Sequence, residues 1–221
     1  MDRKYVLLPM PRQINWNPGF FKTHGDVYIS LVGSITPELL RTGKVVQEAL
    51  EGIFGFWELT AGAAGRPAAV IIAEDPALIA HSEGYRLTIL PGQIRIIGSD
   101  AAGVFYGSQT LKQILRQVSG KEDLPCVDIL DWPDFSNRGL SADISRDRVP
   151  TMEHLYSLID TISEWKVNQF SLHMEHTFAY REHRRVWENA SPMTGEEIIL
   201  LDRYCKDRHI ELVPYQACFG H

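Results

Sequence analysis

The second half of the sequence alternates between short strand-type runs and longer helix-type runs, and this alternation constrains the fold more than any other feature. The runs that predict strands lie at 139–144, 168–174 and 210–214. Threonines that can cap a helix precede the runs that predict helices at 151–166 and 194–208. Strand–helix–strand connections of this length join parallel strands, so this half predicts a βαβαβ array.

Three parallel strands do not close a barrel by themselves. A (β/α)₈ barrel needs about 250 residues, and only residues 139–221 follow Arg138. The third predicted strand runs to the end of the sequence with no helix after it to cover the sheet. We therefore expect the first three βα units of a TIM-type barrel, truncated after the third strand. The alternative is a small, open three-stranded α/β domain that is complete.

The first half of the sequence predicts a different, α+β domain. We place a small α+β domain at 1–130 and the start of the barrel at 131–221, because the pattern changes at the proline-punctuated segment 125–133. We interpret that segment as a link. Helices are predicted to start at Thr36-Pro37-Glu38 and at Ser99-Asp100. Strands are predicted at 27–32, 68–73, 85–90 and 93–97.

Composition excludes several classes of partner. The net charge is −6, so the chain has no basic field to attract nucleic acid or anionic lipid. No apolar stretch reaches 18 residues, and the run at 5–10 is too short for a signal-peptide core. We therefore expect a cytoplasmic protein, unless a leader has been removed. The sparse cysteines, Cys126, Cys205 and Cys218, favour neither a disulfide framework nor a zinc site, and no cofactor is expected.

Candidate functional residues lie where the predicted parallel strands end, because functional groups gather at the carboxyl ends of such strands. The residues at these ends are Asp143, His173, Glu175, His176, Gln216 and His221. Converging carboxylates and imidazoles suit general acid–base chemistry or recognition of sugar hydroxyls. No pair has the helical spacing of an HExxH motif, so a metal site is not favoured.

Some of these residues have an equally good structural interpretation. Asp143 can pair with Arg146 or cap the turn before the next helix. His173 lies between apolar residues, and the commoner role of such a histidine is that of a hydrogen-bonded core residue. The choice between structure and function stays open for both.

The loop predicted at 175–193 is long for a connection in a compact domain, and such loops tend to be functional. Glu175 and His176 begin this loop, which favours a functional role for them. Its aromatic residues either form a wall that stacks on sugars or pin the loop in place. They are Phe178, Tyr180 and Trp187.

Four segments, in order, resemble motifs of the family-20 glycoside hydrolases. AGVFYGSQTLKQIL at 102–115 is similar to the family's GxFYGxQTLxQLL helix. DWPDFSNRGL at 131–140, continued by DISR at 143–146, resembles the junction DxPRFxxRGLxLDxSR. NQFSLHM at 168–174 and VPYQACFGH at 213–221 resemble the second and third barrel strands.

This resemblance implies a small, non-catalytic α/β domain at 1–130 followed by a (β/α)₈ catalytic barrel, and removal of terminal N-acetylhexosamine from glycans. In this family the 2-acetamido oxygen of the substrate is the nucleophile. An Asp-Glu pair after the fourth strand supplies the general acid and the carboxylate that stabilises the cation. This chain ends before that position, and Glu74-Asp75 reads as a turn rather than a substitute. We therefore expect a truncated, inactive portion whose catalytic residues lie beyond His221.

The resemblance also assigns residues to carbohydrate binding. Arg138 matches an arginine that holds sugar hydroxyls, and His221 matches a histidine of the third strand's loop. His176 stands where the family usually has an acid, with Glu175 beside it, which implies a divergent branch. With Asp143, these form the predicted substrate-binding set.

Two other functions remain possible at this stage: a non-catalytic carbohydrate-binding or interaction module, and a different glycosidase family with the same first domain. The open edge of a three-stranded sheet also predicts a homodimer.

Overall fold

The computed structural model describes residues 5–23, 27–62, 67–118, 124–146 and 148–217. The chain divides into two compact units, Met1–Asp134 and Phe135–His221. No helix in these described ranges combines the length and the apolar character needed to cross a membrane.

The first unit is a seven-stranded mixed sheet carrying two helices that contact each other and the sheet. Its elements are β1 (Gln13–Phe20), β2 (Tyr28–Val32), α1 (Pro37–Phe54), β3 (Glu58–Ala61), β4 (Val70–Glu74), β5 (Tyr85–Leu90), β6 (Gln93–Gly98), α2 (Ala101–Leu115) and β7 (Pro125–Asp131). The strand order is β1-β7-β5-β6-β4-β2-β3. β3, β2, β4 and β6 run parallel, whereas β5, β7 and β1 pair in antiparallel fashion.

Both helices of this unit begin at the residues that the sequence predicts. The hydroxyl of Thr36 accepts a hydrogen bond from the backbone N–H of Leu39 at 3.1 Å, and Pro37 is the first residue of α1. The carboxylate of Asp100 accepts from the N–H of Gly103 at 2.8 Å. Each cap satisfies a donor that the first helical turn leaves without a partner.

α2 is buried along most of its length, and two glycines allow its close approach to neighbouring backbone. A Cβ on Gly107 would lie 2.7 Å from Ile96 Cγ2, and one on Gly103 would overlap the carbonyl oxygen of Gly84. The motif at 102–115 is therefore a packing motif. Its apolar residues Val104, Leu111, Ile114 and Leu115 belong to the core.

The interpretation of residues 125–133 as a link is wrong, because residues 125–131 form β7 inside the sheet. β7 pairs with β1 on one side and β5 on the other. Pro125 is tolerated because it is the first residue of the strand, and Cys126, Val127 and Ile129 are buried. β1 and β3 are additional to the predicted strands.

The second unit is a three-stranded parallel sheet in the order β10-β9-β8. Its elements are β8 (Gly139–Asp143), α3 (Met152–Glu164), β9 (Gln169–Met174), α4 (Arg184–Trp187), α5 (Gly195–Lys206) and β10 (Glu211–Gln216). Its core combines residues from the sheet, α3 and α5, including Leu155, Ile159 and Ile162. The predicted alternation of strands and helices is confirmed, with the short helix α4 added inside the predicted loop.

The two long helices of this unit start and end in similar ways. Thr151 caps α3, and Thr194 forms the predicted capping box of α5 with Glu197. Shortly after each helix the chain passes through a residue with positive φ, Lys166 at 60° and His209 at 56°. This left-handed residue turns the chain from each helix into the following strand.

Candidate functional site

A row of three side chains crosses the carboxyl end of the three-stranded sheet. Asp143 pairs in register with His173, and His173 pairs with Tyr215. The rings of His173 and Tyr215 stack with centroids 4.7 Å apart. Because paired residues of adjacent strands project to the same face, the parallel register places these three groups together.

Arg146 connects two carboxylates at this edge. Its guanidinium donates to Glu175 Oε1 at 2.8 Å and also pairs with Asp143 Oδ2. His173 lies between the same two carboxylates, with Nδ1 3.5 Å from Asp143 Oδ2 and Nε2 4.0 Å from Glu175 Oε1. We call Asp143, Arg146, His173 and Glu175 the rim cluster.

The rim cluster keeps Asp143 in its charged form. The backbone N–H of Ser145, 2.9 Å from Asp143 Oδ1, and then the Arg146 guanidinium lower the pKa of Asp143. The hydrogen bond that Arg146 donates to Asp143, followed by the negative charge of Asp143, raises the pKa of Arg146. Hydrogen bonds to a charged form favour that form, so the pair is ionised over a wide pH range.

Hydrogen bonds join the segments that follow the three strands. The backbone N–H of Glu175 donates to Ser145 Oγ at 2.7 Å, and that hydroxyl lies 2.9 Å from Thr177 Oγ1. Gln216 Nε2 donates to the carbonyl oxygen of Glu175 at 3.1 Å. These bonds hold the backbone of Glu175 in place, and its side chain, which pairs with Arg146, is only 10% exposed.

The aromatic residues of the 175–193 loop contact each other. Phe178 meets Tyr180 edge-on with centroids 5.0 Å apart, and Trp187 Nε1 donates to the carbonyl oxygen of Tyr180 at 2.9 Å. Tyr180 also donates its hydroxyl to Gln216. These contacts favour the interpretation in which the aromatic residues pin the loop.

The predicted binding residues are not all in one place. Asp143 and Glu175 are brought together by Arg146, and His176 is exposed on the same loop as Glu175. His221 lies outside the described residues. No cluster of three metal-ligating side chains occurs in the ranges that the structure describes.

Arg138 lies at the opposite end of β8 from Asp143. Its Nε donates to the carbonyl oxygen of Lys166 at 2.7 Å, and its Nη1 donates to that of Phe135 at 2.8 Å. Five residues of strand separate it from Asp143, which corresponds to roughly 16 Å. Its predicted role with sugar hydroxyls stays a prediction, and its observed contacts are with backbone carbonyls.

Arg146 is the member of the rim cluster that the predicted substrate-binding set omits. The sequence indicates Arg146 only as a structural partner of Asp143, whereas in the structure it bridges the ends of two strands. The available signal was the Asp-x-x-Arg spacing immediately after a predicted parallel strand. Two carboxylates held by one guanidinium can accept hydrogen bonds from the hydroxyl groups of a ligand.

The comparisons with known proteins agree with the motifs. A family model described as "Glycosyl hydrolase family 20, domain 2" matches residues 4–132, more than half of the chain. The chain therefore belongs to glycosyl hydrolase family 20, which confirms the resemblance.

Relatives extend the similarity beyond the first unit. A β-hexosaminidase of Porphyromonas gingivalis is 27% identical over 100% of this chain and 31% of its own length. A β-N-acetylhexosaminidase of Cellulomonas fimi is 28% identical over 82% of this chain and 36% of its length. The chain thus spans about a third of the length of these relatives.

Solved structures share the fold. A Streptomyces plicatus β-hexosaminidase superimposes with a TM-score of 0.80 at 21% identity, covering 94% of this chain and 45% of that one. A Flavobacterium johnsoniae chitobiase gives a TM-score of 0.77 at 26% identity, covering 94% and 34%.

Proposed function

We propose that the protein to which this chain belongs removes terminal N-acetylhexosamine from glycans by substrate-assisted, retaining hydrolysis. The observation that carries the proposal is the rim cluster: Arg146 joins Asp143 and Glu175 at the carboxyl ends of parallel strands. Membership of family 20 supports the same reaction. A structural neighbour from Vibrio harveyi, a β-N-acetylglucosaminidase, was solved with N-acetylglucosamine.

In this proposal the second unit is the first part of a catalytic barrel, and the first unit is a non-catalytic domain. The parallel order β8, β9, β10, with α3 and α5 in the two crossovers, supports the barrel assignment. The buried α2 and the closed packing of the first unit support a structural role there.

The rim cluster binds and orients the sugar rather than supplying the acid. A general acid needs a pKa close to the working pH, whereas hydrogen bonds from Ser145 and Arg146 lower the pKa of Asp143. The 221 residues contain no Asp-Glu dipeptide. We therefore propose that this chain alone does not turn over substrate, and that the reacting carboxylates lie elsewhere in the protein.

The test measures binding and turnover separately on the 221-residue chain. We expect N-acetylglucosamine to shift the NMR signals of backbone amides at 143–146 and 173–176, and an aryl N-acetyl-β-glucosaminide to stay uncleaved. Glu175→Gln should weaken sugar binding roughly tenfold, because a charged hydrogen-bond acceptor is lost. Glu182→Gln is the matched control, since Glu182 is an exposed glutamate of the same loop.

Two results would contradict this proposal. Turnover that disappears in Glu175→Gln would make Glu175 the acid and would show that the chain is active by itself. Sugar binding that Glu175→Gln and Glu182→Gln weaken equally would remove the rim cluster from the site.

The second candidate is a non-catalytic carbohydrate-binding module. It is favoured by the lowered pKa of Asp143, whose ionised carboxylate suits binding better than acid catalysis. The two candidate functions predict different N-acetylhexosaminidase activities for the longest form of the protein that cells express. N-acetylhexosaminidase activity in that form excludes the module, and sugar binding without activity favours it.

The free side of β10 supports a further proposal about assembly. Within the described residues β10 pairs only with β9, and an apolar cavity of about 440 Å³ lies beside it, lined in part by Ile198, Leu212 and Pro214. We propose that this chain dimerises through that edge when it is isolated. A monomer in light scattering at high concentration would rule this out.

A further inference from the structure

A second, smaller cavity lies beside the rim cluster in the second unit. Its volume is about 250 Å³, below the range of roughly 300–1,000 Å³ that is usual for pockets holding whole drug-sized ligands. Its size therefore suits a single substituent group. We call it the His176–Arg148 cavity, and its walls are Ile144, Ser145, Arg148, Val149, His176, Thr177, Ala190 and Ser191.

Hydrogen bonds hold the walls of this cavity together. Ser145, after β8, lies 2.9 Å from the hydroxyl of Thr177, after β9. The carbonyl oxygen of Thr177 accepts from the N–H of Met193 at 2.9 Å, which fixes the returning segment that carries Ala190 and Ser191. The cavity walls come from three segments, 144–149, 176–177 and 190–191. Ile144, 1% exposed, and Thr177, 3% exposed, are buried members of the first two segments.

The charged groups on the walls are basic. Arg148 and His176 are both exposed, and none of the described residues that line the cavity is acidic. Across the described ranges neither side chain forms an ion pair, because the neighbouring carboxylates of Asp143 and Glu175 are paired with Arg146. A net negative chain thus has a small basic cavity next to its proposed sugar site.

We propose that the His176–Arg148 cavity binds an oxyanion, a sulfate ester or a carboxylate, carried by the glycan substrate. The guanidinium of Arg148 presents the planar donor fork that matches such groups, His176 can add a ring N–H, and Ser191 can add a hydroxyl. Ser145 Oγ accepts a hydrogen bond from the N–H of Glu175 and lies 2.9 Å from the hydroxyl of Thr177, so the two sites share a wall. The glycan part of this proposal rests on the proposed function, whereas the oxyanion part does not.

The test compares four probes on the 221-residue chain by calorimetry or NMR titration. The probes are N-acetylglucosamine, N-acetylglucosamine 6-sulfate, N-acetylmuramic acid and inorganic sulfate. We expect at least one charged sugar to bind about tenfold more tightly than N-acetylglucosamine, the gain expected from one charge-assisted contact. The sugar that gains affinity identifies the source of the oxyanion as a sulfate ester or a carboxylate.

The variants are Arg148→Gln and His176→Gln, with Arg185→Gln as the matched control. Arg185 is an exposed arginine of the 175–193 loop that does not line the cavity. We expect Arg148→Gln to remove the advantage of the charged sugar and to leave the affinity for N-acetylglucosamine unchanged, and we expect His176→Gln to reduce the advantage of the charged sugar. Thermal melting curves should match those of the parent chain, since both side chains are exposed.

The outcomes separate this proposal from the proposed function. The oxyanion site would be overturned if charged and neutral sugars bound with equal affinity and sulfate did not bind. It would also be overturned if Arg185→Gln had the same effect as the cavity variants. Either result would leave the proposed function intact. Binding of inorganic sulfate that Arg148→Gln abolishes, with no binding of N-acetylglucosamine, would support the oxyanion site and count against the proposed function.

Discussion

The two units each end a strand with an aspartate, and the two aspartates have different environments. Asp131, the last residue of β7, is 8% exposed and accepts a hydrogen bond from the hydroxyl of Tyr85 at 3.0 Å. Asp143, the last residue of β8, lies at the rim and pairs with Arg146. The same residue type in the same position serves packing in one unit and, we propose, binding in the other.

Burial explains this difference. Burial, and then the charge of Asp131, raise the pKa of Tyr85 well above its ordinary value, so the phenol remains a hydrogen-bond donor. Its hydroxyl also lies 2.6 Å from that of Thr110, which completes a closed, buried polar cluster. The rim cluster is more open, because the side chain of Asp143 is 36% exposed, although that of Glu175 is only 10% exposed.

The largest expected effect on stability is that of Gly103→Ala, which tests whether α2 packs in the first unit through its glycines. The added methyl group would overlap the carbonyl oxygen of Gly84, and backbone cannot move aside cheaply. We expect a loss of about 3 kcal/mol in the free energy of unfolding, measured by denaturant titration.

Gly52→Ala in α1 is the matched control, because nothing lies within 4 Å of the Cβ that it adds. Alanine favours a helix interior over glycine by about 1 kcal/mol, so this variant should be slightly more stable than the parent. Equal effects of the two substitutions would remove the argument that α2 packs through its glycines.

The two units also differ in how far the sequence predicts their strands. β8, β9 and β10 are separated by helices whose caps are visible in the sequence, and their prediction is confirmed. β7 was hidden by Pro125 and by the polar Asp128, which pairs with Arg86 on the neighbouring strand. β1 contains Asn, Pro and Gly residues and is an edge strand. Its strand character comes from pairing with β7, which a local pattern does not reveal.

A second, smaller test compares two tyrosine–aspartate hydrogen bonds. Tyr85→Phe leaves the buried oxygens of Thr110 and Asp131 without this partner, so we expect a loss of roughly 1–3 kcal/mol. Tyr204→Phe in α5 is the matched control, because its partner Asp160 keeps Arg208 at 2.6 Å. We expect a loss below about 1 kcal/mol there.

Both values come from denaturant titration of the single variants. If Tyr204→Phe lowered the free energy of unfolding more than Tyr85→Phe does, the two units would not differ as proposed. The buried polar cluster of the first unit would then matter less for stability than the solvent-accessible polar contacts of the second.

The candidate site was predicted in part. Asp143 and Glu175 follow from the rule that parallel strands carry functional groups at their carboxyl ends, and the structure joins them. The contacts of Arg146 could not be predicted without the path of the chain after β8. A spacing of three residues in a loop does not fix where a side chain points. The position of the Arg138 guanidinium likewise depends on carbonyl groups from other segments, at Lys166 and Phe135.

The smallest expected effect concerns the ionisation of Asp143, measured by carboxyl ¹³C NMR during acid titration. Because its pKa is lowered in the folded chain, its contribution to stability is present above the pKa of an unfolded aspartate and is lost as the pH falls through the folded value. Arg146→Gln should raise the titration midpoint of Asp143. The midpoint should stay below that of an unfolded aspartate, because the backbone N–H of Ser145 still donates to Oδ1. Arg185→Gln should leave it unchanged. A midpoint unaffected by Arg146→Gln would mean that the loop backbone alone sets the charge of Asp143 and that the rim cluster is not one electrostatic unit.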